Sequence, residues 1–235
     1  MNMKKIIYRL FVLGSLLTFI GCHDITSEDP SVLTYYAVFE MLGDETMVIP
    51  VGSSFIDPGV KAFIKDQDVS DRIVITGTVD ANNVGLYTLT YSVTNDDGYT
   101  TSIKRTVIVE DPSISTDISG SYVTVEGTYR DRGGAITNYP GFNITITKVA
   151  SGFFYVSDLL GGYYDQRAQY GALYAATGYI RLMEDNTIVL ISSYVKGWGD
   201  SLSGLYNGKY NPNDNSISWD ADYAGMMFYV VLNKN

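Results

Sequence analysis

Leu86-Tyr-Thr-Leu-Thr-Tyr-Ser-Val-Thr94, then Asn95-Asp-Asp-Gly98, then Ile103-Lys-Arg-Thr-Val-Ile-Val109: this stretch reads as two strands and the turn between them. Apolar and polar residues alternate in both flanks, the period-2 signature of strands with one buried face. Asp97-Gly98 between alternating hydrophobics is a strong hairpin signal, because glycine takes the positive φ that tight turns demand. The cluster could also be read as a calcium loop. It lacks the further spaced acids and the closing glutamate that such loops use, so the turn is preferred.

Outward from the hairpin, the same alternation runs through Thr34 to Met41 and Arg72 to Val79. Turn signals at Gly43-Asp44, Asp57-Pro58-Gly59 and Asn82-Asn83 separate these segments. Short strands at this spacing over about 80 residues suggest an immunoglobulin-like sandwich. Three stretches also carry a family resemblance: Val51-Gly-Ser-Ser-Phe-Ile-Asp57-Pro58-Gly59-Val60-Lys-Ala62, Gly85-Leu-Tyr87-Thr-Leu-Thr-Tyr91, and Gly98 with Arg105-Thr-Val107-Ile-Val109. They resemble, in order, the bacterial Ig-like domain also found in pesticidal crystal proteins. Asn95 stands where that family commonly has Asp. The resemblance implies a spacer or adhesion module over residues 34–111.

The chain opens with a basic head (Lys4, Lys5, Arg9), an apolar run from Leu10 to Ile20, and Gly21-Cys22. This is the layout of a secretory signal, and the run is about half the roughly 20 residues a spanning helix needs. Gly21-Cys22 resembles a bacterial lipobox, with Phe19 where the family usually has Leu. The resemblance implies a signal peptide over 1–21, cleavage, and lipidation of Cys22. Two acyl chains would give stable membrane anchoring. A plain signal peptide with a chance cysteine is the alternative. Residues 22–33 read as a polar, acidic tether. They resemble the surface-export tag of lipoproteins in Gram-negative gut commensals, which implies an outer-membrane protein facing the cell exterior.

Beyond Glu110-Asp111-Pro112-Ser113, where Pro cannot continue a central strand, the aromatic content rises. Eight strands are expected over 113–235: Ser121–Tyr129, Phe142–Ala150, Phe153–Asp158, Leu173–Met183, Thr187–Tyr194, Ser203–Tyr210, Ser216–Asp220 and Met226–Leu232. Joined by tight turns without helices, they predict an antiparallel meander closed as a calycin-like β-barrel, with a second sandwich as the alternative. The fold class is therefore all-β. Tyr139-Pro-Gly-Phe-Asn-Ile-Thr-Ile146, Phe154-Tyr-Val-Ser-Asp-Leu-Leu-Gly-Gly162 and Trp198-Gly-Asp-Ser-Leu202 resemble the C-terminal domain of surface lipoproteins of gut commensals, often encoded near polysaccharide-uptake systems. That resemblance implies an outer-membrane uptake complex as a partner and carries over no established activity.

Composition excludes several functions. Losing Lys4, Lys5 and Arg9 with the signal leaves 13 of 16 basic residues against 26 acidic ones, moving the formal charge from -10 to -13. So acidic a protein is repelled by phosphate backbones, and nucleic acid is not an expected partner. Cys22 is the single cysteine and His23 the single histidine, which removes disulfides, Ser-His-Asp catalysis and His/Cys zinc sites. No cofactor or metal is expected.

The candidate ligand site is Tyr163, Tyr164 and Trp198 with polar neighbours Asp158, Asp165, Arg167 and Asp200. Sugars present C–H faces that stack on rings and hydroxyls that need acceptors and donors, so loop aromatics beside carboxylates and Arg suit a glycan. Trp219 alternates with Ile217 and reads as core. The bland reading is that most of these rings fill a barrel. A glycoside hydrolase would need two carboxylates from Asp158, Asp165 and Asp200 about 5 to 9 Å apart. Lipocalin-like binding would need small interior residues where large ones stand. An adhesive, protein-binding surface competes with the glycan. A non-catalytic glycan-binding accessory to uptake is the expected function.

Overall fold

The computed structural model describes residues 33–235. The expected signal segment, Cys22 and nearly all of the expected tether lie outside the described residues. Among those described, the N-terminal strands are β1 (Val38–Met41), β2 (Thr46–Pro50), β3 (Val60–Ile64), β4 (Gln67–Asp68), β5 (Val74–Thr76), β6 (Gly85–Thr94) and β7 (Thr100–Glu110). They form two sheets, ordered β1-β3-β4 and β2-β7-β6-β5, the Ig-like sandwich. The opening hairpin is β6–β7, registered from Gly85 opposite Val109 to Thr94 opposite Thr100. Its turn closes through Gly98 N–H to the Asn95 carbonyl at 3.1 Å and Tyr99 N–H to Asn95 Oδ1 at 2.8 Å.

Alternation did not mark β2 as a strand. It pairs in parallel with β7, Thr46 opposite Thr106 through Pro50 opposite Glu110, and ends at a proline that an edge strand tolerates. The sandwich is stapled by Arg105, which is fully buried on β7. Its Nη1 meets Asp57 Oδ1 at 2.7 Å and its Nη2 donates to the Gly59 carbonyl at 3.0 Å. The Tyr91 hydroxyl donates to the same carboxylate at 2.8 Å. Asp57-Pro58-Gly59 is thus held from inside.

The C-terminal part is a ten-stranded antiparallel sheet: β8 (Gly120–Thr124), β9 (Tyr129–Arg132), β10 (Ala135–Asn138), β11 (Asn143–Ala150), β12 (Phe153–Val156), β13 (Ala176–Leu182), β14 (Ile188–Val195), β15 (Gly204–Asn211), β16 (Ser216–Tyr223) and β17 (Met226–Lys234). Pairing runs β14-β13-β12-β11-β8-β17-β16-β15, and the sheet curls until its ends meet. Thr187 bridges Lys209, and Tyr210 N–H donates to the Asn186 carbonyl at 2.9 Å. Gly208 lies at this closure, where a Cβ would stand 2.2 Å from the Ile188 carbonyl oxygen. The C-terminal sheet is thus a curled antiparallel half-barrel, in line with the barrel-like expectation.

Two details differ from expectation. The predicted strand Ser121–Tyr129 breaks after Thr124, and Tyr129–Arg132 folds back on Ala135–Asn138 as an extra hairpin. Gly127 at φ +95° makes the break, and the buried Thr128 hydroxyl donates to the Val231 carbonyl at 3.0 Å. β17 then pairs β9 through Met227–Tyr229 and β8 through Leu232–Lys234. The segment before β13 is not strand from Leu173: Ala172–Tyr174 is a single 3-10 turn, and Tyr163–Arg167 a π-type turn.

Along β13 and β16 burial alternates strictly, and the inward residues fill the interior. Trp219 sits there, 1% exposed, with its indole N–H on the Leu159 carbonyl at 2.7 Å. Large side chains such as Tyr122, Phe154 and Phe228 complete the core, as expected for a barrel that holds no ligand inside. Ile108 of the sandwich packs with Ala150 and Phe153 of the barrel. At this seam Glu110 Oε2 accepts the Ser151 N–H at 2.6 Å.

Candidate functional site

The loop from β12 to β13 builds the site. Asp158 begins it, 1% exposed, and its carboxyl accepts N–H groups from Leu160 (2.8 Å), Gly162 (3.1 Å) and Ala176 (3.2 Å). One side chain therefore ties both ends of the loop together. Burial, followed by the charge of Asp165 to which it is hydrogen-bonded, pushes the Asp158 carboxyl up to about 8. Gly162 follows at φ +79°, where a Cβ would come 2.7 Å from Phe142 Cβ, so only glycine fits. The π-type turn is then closed by Arg167 N–H to the Gly162 carbonyl (2.9 Å) and Ala168 N–H to the Tyr163 carbonyl (3.0 Å). Gln166 clamps it to the Asn143 backbone in both directions.

The turn splits the pair Tyr163-Tyr164. Tyr163 points inward, 5% exposed, edge-on to Tyr139 at 5.0 Å and to Phe228 at 5.3 Å. Tyr164 is half-buried and faces Trp198 edge-on at 4.8 Å. Trp198 comes from the β14–β15 loop, held by Val195 N–H to the Asp200 carbonyl (2.8 Å) and tied to the first loop by Gly197 N–H to the Leu173 carbonyl (2.6 Å). Tyr174 packs against Trp198 at 4.7 Å, with Tyr170 and Tyr223 about 6 Å away.

Trp198 is 43% exposed and stands between two open hollows. The first, of about 310 Å³, is lined by Tyr170, Tyr174 and Trp198. The other, of about 260 Å³, is lined by Tyr164, Trp198, Asp200, Tyr223 and Ala224. The Tyr223 hydroxyl donates to Asp200 Oδ1 at 2.8 Å, and burial plus that bond raises its phenol. Polar groups at one edge and ring faces elsewhere can take a molecule with both hydroxyls and apolar C–H surface.

The structure brings Tyr164, Trp198 and Asp200 together at the surface. Two residues expected to touch ligand are seated otherwise. Asp158 lies under the loop because its oxygens serve backbone N–H groups, and Tyr163 packs in the core beneath Tyr164. Asp165 caps the Gln166 N–H at 2.7 Å, and Arg167 lies exposed over the Tyr163 ring at 5.0 Å. Tyr170, Tyr174 and Tyr223 escaped the sequence reading. The clustering of tyrosines from Tyr163 to Tyr174 was the available signal for the first two; Tyr223 reads only as the end of a core alternation.

These features define a class: an all-β protein with an Ig-like module and a curled C-terminal sheet carrying an aromatic surface site. Residues 39–109 match the family model of the bacterial surface protein Ig-like domain, and residues 111–234 match a family model described as a C-terminal domain. The solved lipoprotein BT2262 from Bacteroides thetaiotaomicron is 37% identical, over 85% of this chain and 100% of that one, at a TM-score of 0.49. The chain belongs to the family of this lipoprotein. Two solved structures from Clostridium perfringens ZmpB are also similar. The M60 catalytic domain with CBM51-1 and CBM51-2 is 17% identical over 53% of this chain and 14% of that one, at a TM-score of 0.29. CBM51-2 in complex with GlcNAc and INT domains is 19% identical over 51% and 28%, at 0.27. No curated protein matches the chain significantly. Among the described residues no helix is long and apolar enough to cross a membrane.

Proposed function

We propose that this is a lipid-anchored surface protein that binds an extracellular glycan without transforming it, as an accessory to polysaccharide uptake at the outer membrane. The observation that carries the reading is Trp198, half out of the surface between two tyrosine-lined hollows, with Asp200 at the edge of one of them. An exposed indole costs solvation and is unneeded by a core already filled around Trp219. Anchoring through Cys22 is supported by the lipobox and by the lipoprotein relative. A non-catalytic role is supported by Asp158, whose carboxyl is sealed under the loop by backbone N–H groups and so drops out of the three carboxylates that glycoside hydrolysis could have drawn on.

The test is a glycan array with the full chain in detergent and its Trp198→Ala variant. Binding that the variant loses is the expected result. A blank array with folded protein sinks this reading and favours an adhesive, protein-binding surface.

A further inference from the structure

The rings of the site lead to three arginines. Tyr164, which lines the hollow beside Trp198, packs on Tyr163 at 5.0 Å. Two guanidiniums lie over Tyr163: Arg130 Cζ at 4.8 Å and Arg167 Cζ at 5.0 Å. Arg132 follows Arg130 two residues along β9, and so shares its face of that strand. Among the described residues the ion pairs are Arg72–Asp96 and Arg105–Asp57, so none of these three is neutralised by a carboxylate of the described chain. Arg130 reaches Thr137 Oγ1 at 3.3 Å with Nη2, while its Nε is buried without a hydrogen-bond partner. In a chain of 16 basic and 26 acidic residues, arginines without a directly paired carboxylate are unexpected as mere surface.

The acids nearby are already engaged. Asp165 is hydrogen-bonded to Asp158 and caps Gln166, and Asp131 accepts the Gly134 N–H at 2.7 Å. Asp200, which lines the same hollow as Tyr164 and Trp198, accepts the Tyr223 hydroxyl. The site therefore has a cationic end at Arg130, Arg132 and Arg167 and a hydroxyl-accepting end at Asp200, with aromatic faces between. Guanidinium forks match carboxylate and sulfate oxygens in pairs.

Resting on the glycan reading above, we propose that the ligand is an acidic oligosaccharide: sugar faces lie on Trp198 and the flanking tyrosines, and a carboxylate or sulfate is held by Arg130 and Arg167. The anionic group sits on the sugar unit nearest Tyr164, and the unit toward Asp200 is neutral.

Calorimetric titration of the full chain in detergent with matched oligosaccharides tests this: neutral, uronate-bearing and sulfated. Acidic forms bind about tenfold or more tighter than neutral ones, the advantage shrinking as salt is raised from about 0.05 to about 0.5 M. Carboxyl reduction or desulfation of the tightest ligand tells which anion is recognised. Arg167→Gln, on an exposed side chain, brings the acidic-to-neutral affinity ratio toward unity, and Arg130→Lys keeps the charge but loses the fork and most of the ratio. Equal or weaker binding of acidic forms overturns the proposal while the glycan reading stands. Binding of no oligosaccharide overturns both.

Discussion

In the Ig-like sandwich the buried apolar residues fall into small groups, one around Ala62 and Val93 and another around Leu89 and Tyr91. The largest fully buried side chain there is a charged one, Arg105. In the C-terminal barrel a single continuous core runs from Ile114 to Leu232 around Trp219, and its buried carboxyl, Asp158, serves a loop rather than the packing. A sandwich with little apolar volume fixes its irregular segments with directional polar bonds, whereas the barrel fixes its strands by packing and spends polar groups on its loops. The two should fail differently. Both tryptophans, Trp198 and Trp219, lie in the barrel, so indole emission reports that region alone.

The comparison breaks hardest at Asp57. Asp57→Ala leaves Arg105 buried and charged with its partner gone and should cost the sandwich about 3 to 5 kcal/mol. Denaturant titration should show a circular-dichroism transition moving well ahead of the indole transition; coincident transitions would mean that the seam at Ile108 and Phe153 makes sandwich and barrel a single cooperative unit. In the barrel, Trp219→Phe removes core volume and strands the Leu159 carbonyl. About 3 kcal/mol should be lost, with the remaining indole, Trp198, reporting it.

A third effect is a pH dependence confined to the barrel. The folded protein keeps on Asp158 a proton that the unfolded chain releases near pH 4, so between about pH 4 and 8 the folded state binds more protons. The stabilisation is complete below pH 4 and is lost as pH rises through about 8. Barrel stability should drop by about 2 kcal/mol or more from pH 5 to pH 9, and Asp158→Asn should flatten the profile. A profile unchanged by that substitution would refute the assignment. The smallest effect is at the seam: Glu110→Gln weakens the charge-assisted bond to the Ser151 N–H, costs about 1 kcal/mol, and should separate the two transitions of the wild-type chain slightly.

Much of the fold was legible because strands bury one face and alternation reports it. β6, β7, β11 and β16 all stand where the pattern placed them. The misses have specific causes. β2 lies in a parallel edge pairing; the expected Ser121–Tyr129 strand is cut short at Gly127, whose positive φ alternation cannot register, and β9 and β10 form an extra hairpin beyond it. At the site, Trp198 and the Tyr163-Tyr164 pair could be singled out as loop aromatics. Which tyrosine faces solvent depended on the π-type turn, set by Gly162 and by Asp158 bonding across 18 residues to Ala176.

By itself the sequence determined the all-β class and the Ig-like module, since periodicity, composition and short motifs are local properties of the chain. Only the tertiary structure decided that Arg130 of an unforeseen hairpin and Arg167 of an unforeseen turn lie over one tyrosine ring, and that Trp198 stands between two hollows. Those neighbours are far apart in the chain. Sheet closure and a buried carboxyl bring them together, and neither leaves a periodic trace in the sequence.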